Sequence, residues 1–373
     1  MKFKELGNSG EFIPAIGQGC MGIGGKFEKN TTNDSEFIWA LEYGIDLGMT
    51  FLDTAEVYAN GHSETLVGKA SYRKRHKLFI ATKFSPENSS YNNVLTSAEN
   101  SLKRLKTSYI DLYQIHWPNP SIPLSETMKA LEKLVNEGKV RFVGLSNFNK
   151  HEMEEAKRYL NPINIVSNQV EYNLFDRFIE YSLMDYMLKN ESSIIAYSPL
   201  DKGHSFNKIE KTKLMNELSE KYNKTTSQIS LNWLLSNKNV FVIPKAIKKK
   251  HIELNAASSD FEMDLIDKKR ISKIFSANPK FINPNKIKVS LNGQDNRKVY
   301  QTIEEAIENR FNMQPSPLEL SKFILKGDPI KPVRVISSNE DDKYDFDLIE
   351  GRLRFWAWCI AYNGEKDVPC IVR

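Results

Sequence analysis

The 373 residues exceed one average domain and suit a large domain with a smaller one attached. With 40% hydrophobic and 27% charged residues the chain has the make-up of a soluble globular protein. No run approaches the roughly 20 apolar residues needed to span a bilayer, so a membrane partner is excluded on this reading. The net charge of +5, close to balance after Lys280, argues against a nonspecific nucleic-acid partner. Three cysteines (Cys20, Cys359 and Cys370) fit neither a disulfide framework nor a zinc site. The charged segment Met1 to Glu11 lacks the apolar core of a secretory signal. Together these point to a reducing cytoplasm.

In chain order, strand-like runs fall at Ile13–Ile16, Thr50–Asp53, Leu78–Thr82, Ile110–Ile115, Val140–Leu145, Ile163–Val166, Ser193–Tyr197 and Val240–Ile243. Helix-like stretches separate them, among them Asp34–Leu47, Asn93–Leu105, Leu124–Asn136, Lys150–Leu160, Phe178–Lys189 and Thr226–Leu235. Asp34 and Asn149 read as N-caps, Gly48 and Gly138 as C-terminal stops. Eight strands, each followed by helix, predict an α/β fold, a (β/α)8 TIM barrel over residues 1–276. An open doubly wound sheet would want a glycine-rich loop running at once into a helix, and the glycines after Ile16 do not do so. Pro279, Pro284 and several asparagines mark residues 277–286 as a linker. Residues 287–373 then read as a small α+β domain. Its helices are expected at Thr302–Phe311, Pro317–Leu325 and Arg352–Tyr362, its strands at Val333–Ile336, Phe346–Ile349 and Val368–Val372.

Active sites of such barrels lie at the C-terminal ends of the strands. Those ends carry Asp53, with Tyr58 just beyond it, then Lys83, His116, Ser146 and Asn147, Gln169 and Tyr197. The set suits carbonyl reduction without a metal. An alkoxide formed by hydride addition needs a proton, and Tyr58 can give it. Lys83 as a nearby ammonium lowers the phenol pKa, Asp53 holds Lys83 as counter-ion, and His116 orients the carbonyl oxygen. Taken singly each residue reads as an ordinary surface or packed group. Taken at successive strand ends, the four read as a catalytic set.

Three segments, Phe51-Leu52-Asp53-Thr54-Ala55-Glu56-Val57-Tyr58, Gly138 through Phe148 and Asn168-Gln169-Val170-Glu171-Tyr172-Asn173, resemble the signatures of the aldo-keto reductase family. The resemblance runs from about Phe3 to Phe275. It implies that Asp53, Tyr58, Lys83 and His116 form the catalytic tetrad and that NADPH is the cofactor. Ser146, Asn147 and Gln169 would then hold the nicotinamide carboxamide, and Tyr197 would stack on its ring. Ser198 and Leu200 would line the pyrophosphate path, with Cys20 and Met21 beside the ribose. Lys245 and Asn255 match the positions for the 2′-phosphate and the adenine. Ala246, His251 and Leu254 depart from the pattern, and histidine cannot make the bidentate fork of arginine. NADH is therefore admitted as an alternative cofactor, with Lys248, Lys249 and Lys250 as compensating cations or as a solvated charge run. The substrate is expected to be a small-molecule carbonyl in a site left open by the short loop Trp117–Pro123, with Trp117, Phe84 and Tyr58 lining an apolar pocket. By family habit Ala277–Lys286, or the domain after it, would help close that site. The oligomeric state is not legible.

In the C-terminal part, Phe346 through Trp358 runs from strand to helix across Gly351, placing Arg352 and Arg354 in the first helical turn. Cations are disfavoured there and anions favoured. Either an anion binds, or Arg354 pairs with Glu350 four residues back while Arg352 faces solvent. This turn, Pro332 through Ile336 and the ending Val368–Val372 are similar to the ParB/sulfiredoxin-like fold. The similarity implies a nucleotide facing Gly351 and Arg354. Arg352 stands where sulfiredoxins carry a reactive cysteine, which removes that chemistry. The aromatic residues Phe355, Trp356, Trp358 and Tyr362 read first as core, second as a docking face. A rival reading makes the barrel an NADPH sensor regulating a nucleotide-binding domain.

Overall fold

Strands buried on both faces by surrounding helices read as near-continuous apolar runs, and here such runs form a parallel sheet. The computed structural model describes residues 1–181, 183–201, 209–275, 279–289, 300–313, 315–327, 330–338 and 343–372. Two units, Met1–Phe275 and Ser276–Arg373, each have a hydrophobic core of their own.

The first unit opens with an antiparallel hairpin of β1 (Phe3–Glu5) and β2 (Phe12–Pro14). Then follow β3 (Gln18–Gly19), α1 (Asp34–Asp46), β4 (Phe51–Asp53), α2 (His62–Ala70), β5 (Phe79–Phe84), α3 (Tyr91–Leu105), β6 (Ile110–Ile115) and α4 (Leu124–Asn136). The series continues with β7 (Val140–Ser146), α5 (Lys150–Leu160), β8 (Ile165–Glu171), α6 (Leu183–Lys189), β9 (Ser193–Tyr197), α7 (Ile209–Tyr222), α8 (Thr226–Leu235), β10 (Val240–Val242), α9 (Lys249–Ala256) and α10 (Leu265–Ile274). Strands β3 to β10 pair in parallel in chain order, and a bridge from Ile16 to Val242 closes the ring. This is a (β/α)8 barrel.

Its first strand is not where the apolar run Ile13–Ile16 predicts. Phe12–Pro14 belongs to the hairpin, and the barrel strand is the glycine-bearing Gln18–Gly19. A Cβ at Gly19 would stand 2.6 Å from the carbonyl oxygen of Ile243, so ring closure there requires a bare backbone. Ile13 and Leu6 instead join Phe51, Phe79, Leu112 and Phe241 in the apolar filling of the barrel. The hairpin is latched by Lys4, whose Nζ donates to the carbonyls of Leu235, Asn237 and Val240 at 2.8, 2.7 and 2.7 Å. Leu235 ends α8, where unpaired carbonyls favour a cation.

Caps explain two helix starts differently. Asn149 makes a full capping box with Glu152, as its position predicts. Asp34 does not cap α1. Its carboxylate lies 2.8 and 3.0 Å from His62 Nε2, and Asn33 becomes the N-cap without a side-chain bond. The expected helix Phe178–Lys189 is broken into a 3-10 turn, Phe178–Tyr181, and α6.

The second unit contains β11 (Lys280–Ile282), β12 (Ile287–Lys288), α11 (Ile303–Ile307), α12 (Pro317–Leu325), β13 (Val333–Ser337), β14 (Phe346–Glu350), α13 (Arg352–Ala361) and β15 (Val368–Val372). The strands form one mixed sheet in the order β11, β15, β13, β14, β12. Part of the expected linker is therefore built into this sheet: Lys280–Ile282 pairs antiparallel with β15. The rest of that segment includes residues 277 and 278, which lie outside the described residues. Helix Thr302–Phe311 shrinks to α11, because Asn309 turns left-handed at φ 49°. Phe355, Trp356 and Trp358 are buried against Val333, Val335 and Val368, and both indole nitrogens donate to backbone carbonyls. Core packing, not an exposed docking face, accounts for these three aromatics. Among the described residues no helix is long and apolar enough to cross a membrane.

Candidate active site

Asp53 ends β4, Lys83 lies near the end of β5, and His116 follows β6, so adjacent parallel strands bring all three to one mouth of the barrel. Tyr58 sits in a tight turn just past β4, where Ala59 and Asn60 adopt left-handed conformations. Lys83 is fully buried, and its Nζ donates to Asp53 Oδ1 at 2.7 Å, to the Thr54 carbonyl at 2.8 Å and to the Tyr58 hydroxyl at 3.4 Å. The His116 ring stands edge-on to the Tyr58 ring, centroids 5.7 Å apart.

The charges follow from burial and pairing. Burial disfavours the Lys83 ammonium, but the Asp53 carboxylate and Tyr58 hold its pKa above the usual lysine value. Burial raises the Tyr58 phenol, and the Lys83 ammonium opposes that rise without cancelling it. The expected net lowering of the Tyr58 pKa is thus corrected: Lys83 acts in the expected direction, but burial outweighs it. Tyr58 is a protonated phenol at neutral pH, with a cation ready to favour loss of its proton. His116 is pushed down to about 3 by burial and by Lys83, so its ring is neutral.

A chain of amides and hydroxyls continues from this group. Asp53 Oδ2 accepts from Gln169 Nε2 at 2.7 Å and from Gln114 Nε2 at 3.5 Å. Ser146 Oγ donates to the Gln169 carbonyl at 2.9 Å. Asn147 Nδ2 reaches both Ser146 Oγ and the His116 carbonyl at 3.0 Å, while its Oδ1 accepts from the Tyr197 hydroxyl at 3.0 Å. The four residues named for the nicotinamide end are therefore contiguous with the acid group. Gln169 has its side-chain nitrogen on Asp53, which leaves its side-chain oxygen Oε1, distinct from the backbone carbonyl that Ser146 meets, as the acceptor for a further donor. Cys20 is buried, its thiol pKa raised by burial, and its N–H donates to the Asp53 carbonyl at 2.9 Å.

Ser198 adopts φ 47°, and its carbonyl accepts from Asn173. Leu200 is half-buried beside it, and residues 202–208, next in the chain, lie outside the described residues. A cavity of about 430 Å³ is lined by Met21, Gly22, Gly25, Lys26, Asn30 and Lys245, among others. On α9, Asn255 is buried and His251 exposed, and Lys248, Lys249 and Lys250 are exposed. Phe84 does not line a substrate pocket. It is fully buried and packs on Tyr113 with ring centroids 5.2 Å apart, whereas Trp117 is exposed.

In the second unit Arg354 turns back over Gly351, donating to the carbonyls of Lys331 and Pro332 at 2.8 and 3.2 Å and lying 3.6 Å from Glu350. The Arg354 half of the pairing alternative is met, and this guanidinium also bonds to backbone carbonyls of its own chain. Arg352 is half-buried rather than pointed into solvent. Among the described residues no cluster of three or more His, Cys, Asp or Glu could hold a metal.

Sequence reasoning missed Gln114 and the cavity residues Lys26 and Asn30. Gln114 had a signal: it lies two positions before His116, on the same inward side of β6. Lys26 and Asn30 had none, because nothing in their spacing tells which way the loop after β3 folds.

Against known proteins, residues 15–276 match the family model described as aldo/keto reductase family. The chain is 36% identical over 279 residues to methylglyoxal reductase YeaE of Escherichia coli, covering 74% of this chain and 96% of that protein. Among solved structures it resembles a thermostable aldo-keto reductase in complex with the inhibitor epalrestat, with 39% identity, TM-score 0.71, and 74% and 100% of the two chains covered. It also resembles an aldo/keto reductase from Klebsiella pneumoniae in complex with NADP and acetate, with 32% identity, TM-score 0.67, and 74% and 95% covered.

Proposed function

Because the chain belongs to the aldo/keto reductase family, we infer that its barrel reduces an aldehyde or ketone to an alcohol with NADPH, with Tyr58 as proton donor. The single observation that carries the residue assignment is the buried line from Asp53 through Lys83 Nζ to the Tyr58 hydroxyl. NADPH, when bound, supplies the hydride. Every other part of the reaction falls to side chains of this protein.

The residues fit such a cofactor. At the nicotinamide end Gln169 offers its carbonyl oxygen, and Tyr197 is held in place by its hydroxyl bond to Asn147. At the other end the cavity beside Lys245 presents cations for phosphate. Neutral His116 hydrogen-bonds the substrate oxygen through one ring nitrogen and fixes the carbonyl. Tyr58 delivers its proton to that oxygen as negative charge builds on it. Lys83 stabilises the phenolate left behind, and Asp53 keeps Lys83 charged and in place. This geometry favours turnover over a barrel that merely senses NADPH.

For the substrate, the name of the Escherichia coli relative and the short loop after His116 favour a small dicarbonyl such as methylglyoxal. Purified protein mixed with NADPH and methylglyoxal should consume the cofactor. Tyr58→Phe should lower kcat by about 10²- to 10⁴-fold while leaving NADPH affinity within twofold. Full activity in Tyr58→Phe rules out the acid assignment. No NADPH oxidation with any of a set of aldehydes and ketones rules out the reductase reading.

The ParB/sulfiredoxin-like fold of residues 287–373 stays a proposal, supported by Pro332 through Ile336, the turn at Gly351 and the ending Val368–Val372. We propose no nucleotide role there, since the Arg354 guanidinium is already engaged by carbonyls and Glu350.

A further inference from the structure

His251 stands where the family often carries arginine, and it is exposed on α9. One imidazole cannot replace the double hydrogen bond of a guanidinium. The cavity beside Lys245 offers another source of charge. Its far wall is the loop between β3 and α1, which brings in Lys26, Asn30 and Asn33.

That loop is shaped and anchored. Gly22 and Gly25 pair in an antiparallel bridge, and Asn30 N–H donates to the Gly24 carbonyl at 2.7 Å. The Ala59 N–H donates to the Lys26 carbonyl at 2.9 Å, tying the loop to the turn that carries Tyr58. At its end, Asp34 is held by His62. The ammonium of Lys245 lies over Gly22, only 2.9 Å from where a Cβ would stand, so glycine leaves the room this lysine occupies. Among the described residues neither Lys26 nor Lys245 has a carboxylate within ion-pair reach. The Asn33 side chain makes no capping bond, and Asn30 spends only its oxygen, on the Thr32 N–H. Two uncompensated cations and two amides thus line one cavity of about 430 Å³, room enough for a phosphate group.

We propose that Lys26 is a specificity residue for the cofactor, sharing the 2′-phosphate of NADPH with Lys245 in place of the missing arginine. The inference rests on the reductase reading. It makes discrimination between NADPH and NADH a property of the loop after β3 rather than of α9 alone. Lys26 is exposed, so its contribution is that of a partly solvated charge pair, not a buried one.

The test is a titration of the full chain with NADPH and, separately, NADH, followed by tryptophan fluorescence, for the unmutated protein, Lys26→Met, Lys26→Arg and Lys245→Met. The expected result is an NADPH Kd raised about five- to tenfold in Lys26→Met, an unchanged NADH Kd, and near-normal NADPH binding in Lys26→Arg. An unchanged NADPH Kd in Lys26→Met, with Lys245→Met impaired, overturns the proposal and leaves the reductase reading intact. Equal weakening for both cofactors also overturns it, since the contact is then not to the 2′-phosphate. If the unmutated chain binds neither cofactor, the reductase reading itself falls, and the proposal with it.

Discussion

At the scale of single residues, the site is held by a buried pair of opposite charges. Lys83 and Asp53 are both buried, and each removes the cost of the other. Lys83→Met should therefore lower stability by about 3–5 kcal/mol, read as a drop in denaturant midpoint. Lys83→Met with Asp53→Asn should recover much of that loss and none of the turnover, because the buried charge is gone but so is the cation. The pH dependence follows from the directions of the two shifts. His116, at about 3, stays neutral from weakly acidic to alkaline pH, so reduction should show no loss on descending through pH 6.5, where an ordinary histidine protonates. Tyr58, raised above its usual value by burial, keeps its proton through neutral pH, so reduction should decline only in strongly alkaline solution. A fall in kcat centred near pH 6.5 would contradict the neutral imidazole. Asp53, Lys83, His116 and Tyr58 were all readable as candidates from strand ends. That Gln169 spends its amide on Asp53 was not, because hydrogen-bond direction depends on how neighbouring strands are staggered.

At the scale of elements, local rules worked where the local contest was uneven. Asn149 with Glu152 caps α5 through reciprocal bonds within four residues of chain. Asn149→Ala should cost about 1 kcal/mol and shift the thermal midpoint by a few degrees. Asp34 had the same credentials and lost its capping role to His62, a residue 28 positions away. Strand β3 escaped notice because closing a barrel needs absence of side chains at Gly19, which no propensity rewards. The hairpin latch is another long-range device. Lys4→Met should destabilise the barrel by about 1–3 kcal/mol by removing the donor to three carbonyls, two of them at buried contacts, with kcat preserved in the folded fraction.

At the scale of the whole molecule, each unit encloses its own apolar cluster, the second built on Phe355, Trp356 and Trp358. A chain comprising residues 276–373 alone should fold cooperatively, giving a sharp thermal transition and a blue-shifted tryptophan emission. A broad, featureless melt would show that its core does not suffice.

The alternation of apolar strands with amphipathic helices was enough to specify a closed parallel barrel and the mouth at which its polar strand ends gather. Period and composition are properties of the chain itself, and burial reads them directly. Which lysine shares a cavity with Lys245, which carbonyls Arg354 and Lys4 meet, and that residues 280–282 become a strand were decided only by folding. Those contacts join segments far apart in sequence, and their partners are chosen by distance in space.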